Sequence, residues 1–203
     1  MARPRRPAPP EADQPPRIVG GTLRGRRLAH RPGGPTRPMK DRVRETLFDL
    51  IGDRVRGAIA IDLFAGTGAL GFEAISRGAA RAIFAERHFP TAAVLRQSAR
   101  ELGVEDRSEV RAGDVLNWAR RLPDLPGDAR WIVFVSPPWA MFPGRSADLM
   151  ALVATLLAAA PDGSVVVVES DEAFDPAALP GPESWESRAV APAVLHVYGR
   201  LVS

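Results

Sequence analysis

The sequence predicts a doubly wound α/β fold: a mostly parallel seven-stranded sheet, an antiparallel C-terminal hairpin and a short N-terminal basic β-hairpin. Three observations carry that expectation. Short β-type apolar runs alternate with helical patterns at the spacing of a parallel sheet with crossover helices. The first such run leads directly into Gly66-Thr67-Gly68-Ala69-Leu70-Gly71. The last two runs are separated only by Ala191-Pro192-Ala193, a connection so short that the strands must pair antiparallel.

Residues 1–16 contain six prolines and no large apolar side chain after Met1, a composition that predicts disorder. Residues 17–38 form a basic arm, with Arg17–Leu28 as the hairpin candidate and Gly20-Gly21 or Arg24-Gly25 turning the chain. The remaining domain, 39–203, opens with a helix from Asp41: Val43, Leu47, Leu50 and Ile51 fall at helical spacing, and Gly52 ends it. Strands are expected at Ala58–Leu63, Arg81–Glu86, Ser108–Ala112, Trp131–Val135, Ser164–Glu169, Ser184–Val190 and Val194–Val202. Between them the helical patterns are Ala69–Arg77, Pro90–Leu102, Val115–Leu122 and Ser146–Ala160, with Pro90 in a tolerated first-turn position. A parallel sheet closed by an antiparallel hairpin separates this Rossmann-like outline from dinucleotide dehydrogenases, whose strands all run parallel.

Composition narrows the function. The chain has 203 residues, 45% of them hydrophobic, enough for one sizeable core. It has no cysteine, which excludes disulfides and thiolate metal sites. Leu149–Ala160, the most apolar helical run, is too short to span a bilayer, and the prolines of Met1–Pro10 forbid an amphipathic targeting helix. A soluble, cytoplasmic monomer without metal or membrane contact is expected. The net charge of +3 hides an asymmetry. Residues 1–44 hold eleven Arg and Lys40 against Glu11, Asp13 and Asp41, while the rest of the chain is net acidic. Lys40 is the only lysine, so part of the arginine excess is a codon preference, but that preference does not explain the crowding into one end. A basic arm on an acidic body points to a polyanion, since arginine binds phosphate with a planar fork.

A glycine loop after a first strand marks a nucleotide-cofactor site, weakly when taken alone. Asp62 strengthens it. A carboxylate at the strand end suits a cation and repels a pyrophosphate, which favours S-adenosylmethionine, with its ammonium and sulfonium, over a dinucleotide. Gly66 and Gly68 allow close backbone approach, Phe64 and Leu70 flank them, and Glu86 ends the second strand where an acid can accept both ribose hydroxyls. Arg87 follows Glu86. Asp114 and Val115 follow the third strand, where the carboxylate and the next backbone N–H can meet an adenine edge; capping of the following helix is the competing role for Asp114. Ser136-Pro137-Pro138-Trp139 follows the fourth strand, at the topological switch point of such a sheet. There Ser136 Oγ and the Pro137 carbonyl are candidate acceptors for an exocyclic amine, Pro138 rigidifies the loop, and Trp139 offers a stacking face or a core anchor. Trp118, Trp131 and Trp185 read as packing.

From about Arg17 to Val202 the chain resembles the RsmD-type 16S rRNA guanine-N2 methyltransferases. The resemblance rests on Arg17-Ile-Val-Gly-Gly with Leu23-Arg24-Gly25-Arg26, and on Arg37-Pro38 followed by Asp41-Arg42-Val43-Arg44-Glu45-Thr46-Leu47-Phe48. It also rests on Asp62 through Gly71 and on the Pro-Pro-aromatic loop. It implies a guanine of small-subunit ribosomal RNA, free or in an assembling subunit, as substrate. It also implies an arm that grips RNA through Arg17, Arg24, Arg26, Arg27, Arg37, Lys40, Arg42 and Arg44. Three positions depart from the family pattern. Ser136 stands where Asp or Asn is usual, Met39 and Lys40 replace hydroxyl residues, and His88 replaces an acid. Loss of a charged acceptor at 136 is worth roughly 1.5–3 kcal/mol in the transition state. The rival readings are another acceptor (a DNA base or a protein amide), an RNA-binding protein without chemistry, and a nicotinamide oxidoreductase. The basic arm opposes a protein substrate, the intact acidic set opposes lost chemistry, and Asp62 with the antiparallel tail opposes the oxidoreductase.

Overall fold

The computed structural model describes residues 14–31, 39–119, 125 and 127–199. In chain order the elements are α1 (Asp41–Ile51), β1 (Ile59–Leu63), α2 (Ala69–Ser76), β2 (Arg81–Glu86), α3 (Phe89–Leu102), β3 (Ser108–Ala112), α4 (Val115–Ala119), β4 (Trp131–Val135), α5 (Met141–Ala159), β5 (Val165–Ser170), β6 (Trp185–Val190) and β7 (Ala193–Tyr198). One seven-stranded sheet has the order β3-β2-β1-β4-β5-β7-β6. The first five strands run parallel, and β7 is antiparallel to both β5 and β6. This is the predicted mixed, Rossmann-like sheet. The chain winds outward from β1 to β3, returns, and starts again at β4 on the other side of β1.

Alternation along each strand divides the core. Ala60, Phe84, Phe134 and Val167 face one layer with α1, α2 and α3. Ile61, Leu63, Val133, Val135 and Val168 face a second layer with α4 and α5. Burial of each such large apolar side chain stabilises the fold by about 1.5–3 kcal/mol. Strands β1, β4 and β5 are buried along their whole length, as expected for strands covered on both faces.

Helix α5 begins earlier than its periodicity suggests, because Met141–Gly144 form a turn that joins it across a kink at Arg145. Its length and apolar content suffice for a membrane span. Here Phe142, Leu149, Leu152, Val153 and Leu156 bury one face against the sheet. The predicted end of α4 at Leu122, the last residues of the predicted Val194–Val202 strand and most of the predicted disordered stretch 1–16 lie outside the described residues.

The arm departs from the expected hairpin. Arg17 and Arg27 form a single antiparallel bridge, with Ile18 N–H donating to Arg26 O (2.9 Å) and Gly25 N–H to Ile18 O (2.8 Å). Beyond these few pairs the intervening backbone turns to α2. Val19 N–H donates to the buried Glu73 Oε2 (2.8 Å), Leu23 N–H to Ser76 Oγ (2.9 Å) and Thr22 N–H to Ser76 O (2.8 Å). Ser76 Oγ donates in turn to Gly20 O (2.5 Å). Gly21, at φ +75°, lies so close that a Cβ would sit 2.0 Å from Ser76 O. Donors that a hairpin would consume across its own ladder are satisfied by the last turn of α2.

Arg44 is a second correction. The resemblance places it on RNA, yet it is fully buried. Its guanidinium donates to Met39 O (2.6 Å), Arg17 O (2.7 Å) and Asp41 Oδ1 (2.6 Å), fastening the arm to the start of α1. Arg17 Nε meets the other oxygen of Asp41 at 2.7 Å. Exchanging Arg44 for alanine is expected to lower unfolding free energy by about 3 kcal/mol in urea, since three acceptors lose a buried donor. Arg42→Ala, at an exposed position of the same helix, should change it by no more than about 0.5 kcal/mol; equal effects would mean that Arg44 does not hold the arm.

Candidate active site

The register of β1 against β4 pairs Leu63 with Val135, so the loops that leave the two strands stand side by side. Between them lies a cavity of about 320 Å³, lined by Asp62, Phe64, Gly66, Leu70, Ser136, Pro137, Pro138, Trp139 and Lys40 among others. Eight of the residues predicted for cofactor and catalysis therefore meet in one place. Met39 also lines it.

The glycine loop is built by carboxylates. Asp62 Oδ2 accepts from Gly71 N–H (3.0 Å) in the first turns of α2. Glu86, at the end of β2, accepts from Gly66 N–H (2.9 Å) and His88 N–H (2.7 Å). Phe64, at φ +63°, is a non-glycine residue in the left-handed region, a strain of order 1–3 kcal/mol that marks functional loops. Gly68, at φ +76°, caps α2; a Cβ there would lie 2.5 Å from the Leu95 side chain and 2.7 Å from the Phe72 ring. Only glycine therefore lets the loop pack this closely onto α2 and α3.

Gly68, Glu86, Arg87, Asp114 and Val115 are not among the residues that line this cavity. Gly113 N–H donates to Glu86 O (2.9 Å), which sets the β3 loop beside the end of β2. Asp114 Oδ1 accepts from Leu116 N–H (2.9 Å), the capping role, which uses one oxygen of the carboxylate. Arg87 is exposed, while Val115 is a buried core residue.

The electrostatics favour a cation. Asp62 is only 2% exposed, and burial pushes its carboxyl up to about 8, opposed by the Gly71 N–H and helped by the Glu86 and Glu169 carboxylates. A positive ligand would restore its charge, whereas a pyrophosphate would meet Asp62 and Glu169 across the same cavity. The residues therefore fit a ligand with ammonium and sulfonium groups.

Glu169, near the end of β5, is a cavity-lining acid that no sequence motif marks. It is buried, lines the cavity and accepts a hydrogen bond from Ser136 Oγ. Burial raises its carboxyl above the usual range, with the Ser136 hydroxyl opposing the rise. Pro192, in the turn between β6 and β7, and Ala193, which opens β7, also line the cavity. In sequence Glu169 is one acid after four valines.

Trp139 is half-buried; it lines the cavity and also packs against both core layers. The carbonyls of Pro138 and Trp139 accept from Met141 and Phe142 N–H (2.8 and 3.0 Å), which fixes the loop to α5. On the outer surface Arg24, Arg26, Arg27, Lys40 and Arg42 are exposed, and Arg26 also donates to Glu101 O (2.5 Å). Arg37 lies outside the described residues.

The family model described as "Conserved hypothetical protein 95" matches residues 16–198. The chain belongs to this family, the RsmD-type S-adenosylmethionine-dependent methyltransferases. It is 40% identical over 123 residues to ribosomal RNA small subunit methyltransferase D of Escherichia coli K12, covering 61% of this chain and 60% of that one. It is 33% identical over 122 residues to the protein of the same name from Buchnera aphidicola, covering 60% and 62%. The match thus spans about three fifths of these relatives' length. Among solved structures the yhhF protein of Escherichia coli is similar, with a TM-score of 0.72, 28% identity, and coverage of 94% of this chain and 100% of that one. The RsmD-type fold is therefore present over nearly the whole described chain.

Asp62 yields a prediction of opposite sign to that of an ordinary surface carboxylate. Its folded value lies above the ordinary 3.8, so the folded state holds a proton that the unfolded state has released. Stability contributed by the protonated form is complete at low pH and is lost as pH rises from about 4 to about 8. In the cofactor-free protein Asp62→Asn, which keeps an acceptor for Gly71 N–H, should flatten the decline in melting temperature between pH 5 and 8. An unaltered decline would show that the carboxyl titrates normally.

Proposed function

We propose that this chain transfers a methyl group from S-adenosylmethionine to the exocyclic N2 of a guanine in small-subunit ribosomal RNA, in the cytoplasm. The observation that carries the reading is the opening of two loops, the glycine loop after β1 and Ser136-Pro137-Pro138-Trp139 after β4, into one cavity. The names of the relatives support an rRNA substrate.

S-adenosylmethionine, when bound, supplies a methyl group activated on a sulfonium. Asp62 and the glycine loop hold its amino-acid end, while Glu86 and Asp114 stand at the strand ends where ribose and adenine are expected. Trp139 provides a face for the extruded guanine, an interaction worth about 1–3 kcal/mol. A guanine N2 lone pair is delocalised into the ring, so the amine is a weak nucleophile. Ser136 Oγ and the Pro137 carbonyl accept from its two N–H groups, turn the lone pair toward the methyl group and stabilise charge as it develops.

Arg24, Arg26, Arg27, Lys40 and Arg42 form the exposed positive surface for phosphates, with Lys40 at the edge of the cavity itself. Such contacts release counterions and make binding salt-dependent.

Labelled S-adenosylmethionine, incubated with RNA and immature subunits from cells lacking this protein, should place label in N2-methylguanine; label in another nucleoside, or in none, would reject the assignment. Replacing Arg24, Arg26 and Arg27 together by alanine should lower the slope of log affinity against log salt by about 0.7 for each single-strand phosphate that is no longer neutralised. An unchanged slope would remove the arm from the RNA interface. These three side chains are exposed, so their removal should leave unfolding nearly unchanged.

A further inference from the structure

The pairing of β4 with β5 sets Val135 opposite Val168, so the next residues along the two strands, Ser136 and Glu169, emerge together. The serine that stands where the family carries a charged or amide acceptor is not alone. A carboxylate from the neighbouring strand accepts its hydroxyl. We propose that Glu169 is the positioning residue for methyl transfer at Ser136: it draws the serine hydrogen to itself, turns the oxygen lone pairs toward the guanine amine, and takes up the proton released there. The inference rests on methyl transfer to guanine N2.

A hydroxyl that donates to a carboxylate becomes a stronger acceptor on its free lone pairs. Ser136 paired with Glu169 therefore recovers, over two residues, much of what a single Asp would supply. The proton balance closes within the pair. As the bond from guanine N2 to the methyl carbon forms, the carbon–sulfur bond breaks with its electron pair left on sulfur. One N2 proton passes to Ser136 Oγ, and the Ser136 hydroxyl proton passes to Glu169 Oε2. The products are neutral N2-methylguanine, an unchanged serine and a carboxylic acid that solvent later deprotonates. Glu169 suits the task because burial raises its carboxyl above the usual range and so makes the carboxylate a better proton acceptor. Lys40 and Asp62 are the other charged groups that line this cavity. Asp62 lies on β1 at the foot of the glycine loop, and a cation bound beside it at saturating cofactor would hold it ionised while Glu169 titrates.

The test is Glu169→Gln, which keeps the size and an acceptor oxygen for Ser136 but cannot take up the proton. At saturating cofactor it should lower kcat at least about 10-fold, a loss of one general-base step, and erase the rising limb of kcat against pH. In a Ser136→Asp background, where the acceptor carries its own carboxylate, the same Glu169→Gln exchange should cost less than about 3-fold, the signature of coupled residues. A readout without turnover is the carboxyl titration of Glu169 by carbon NMR: its midpoint should lie above the ordinary range and move further up in Ser136→Ala. A natural chain that makes N2-methylguanine while Glu169→Gln keeps its rate and pH profile would overturn this inference alone. Equal effects of Glu169→Gln in the natural chain and in the Ser136→Asp background would also overturn it. A natural chain that makes no N2-methylguanine would overturn both the inference and the reading beneath it.

Discussion

The hydrogen bond from Gly71 N–H to the buried Asp62 carboxyl fixes the rest of the site. It ties the end of the central strand to the first turns of α2, so the intervening loop has one course open to it. That course takes Phe64 into the left-handed region and leaves space only for glycine at 68. Glu86 reinforces it from the next strand by accepting from Gly66. Two acids that a surface would leave in water are thus committed to backbone N–H groups. Burial at Asp62 sets its high pKa, and the same burial makes the carboxyl responsive to a positively charged ligand. Structure and chemistry depend here on one group.

The switch point of the sheet does the remaining assembly. Because β1 lies between β2 and β4, the loops after β1 and β4 diverge to opposite sides and leave a crevice. The antiparallel return of β7 along β5 brings the Pro192-Ala193 turn to the wall of that crevice. Each loop is held from outside the crevice: Pro138 and Trp139 by the start of α5, and the glycine loop by β2. Side chains on such anchored backbone keep their positions at small entropic cost.

Much of this was legible in the sequence, and the reasons are particular. The strands Arg81–Glu86, Ser108–Ala112 and Trp131–Val135 begin and end where their β-type runs do, because the turn residues that bound them cannot extend a ladder. The Asp62-to-Gly71 loop and the Ser136-to-Trp139 loop announce themselves because glycine and proline constrain the backbone locally. What was not legible depends on partners distant in sequence. Nothing in Asp41-Arg42-Val43-Arg44 says that one arginine is exposed and another wholly buried; that depends on where Met39 O and Arg17 O come to rest. That the expected hairpin shrinks to a single bridge was not legible because the other partners of its backbone, Glu73 and Ser76, lie more than fifty residues away. Glu169 was invisible for the same reason, since its meaning comes from the strand beside it.

Helix α2 is eight residues long, so its two ends stand about 12 Å apart at 1.5 Å per residue. Its first turns close the glycine loop, and Glu73 and Ser76 in its last turns hold the arm. A ligand that displaced the arm would release the bonds that now hold the last turns of the same helix. The two sites are then thermodynamic neighbours, and linkage is reciprocal: any factor by which polyanion on the arm alters affinity at the loop must be returned in equal measure by the ligand in the loop. The brace that ties the arm to α2 thus shares one short helix with the bond that closes the glycine loop.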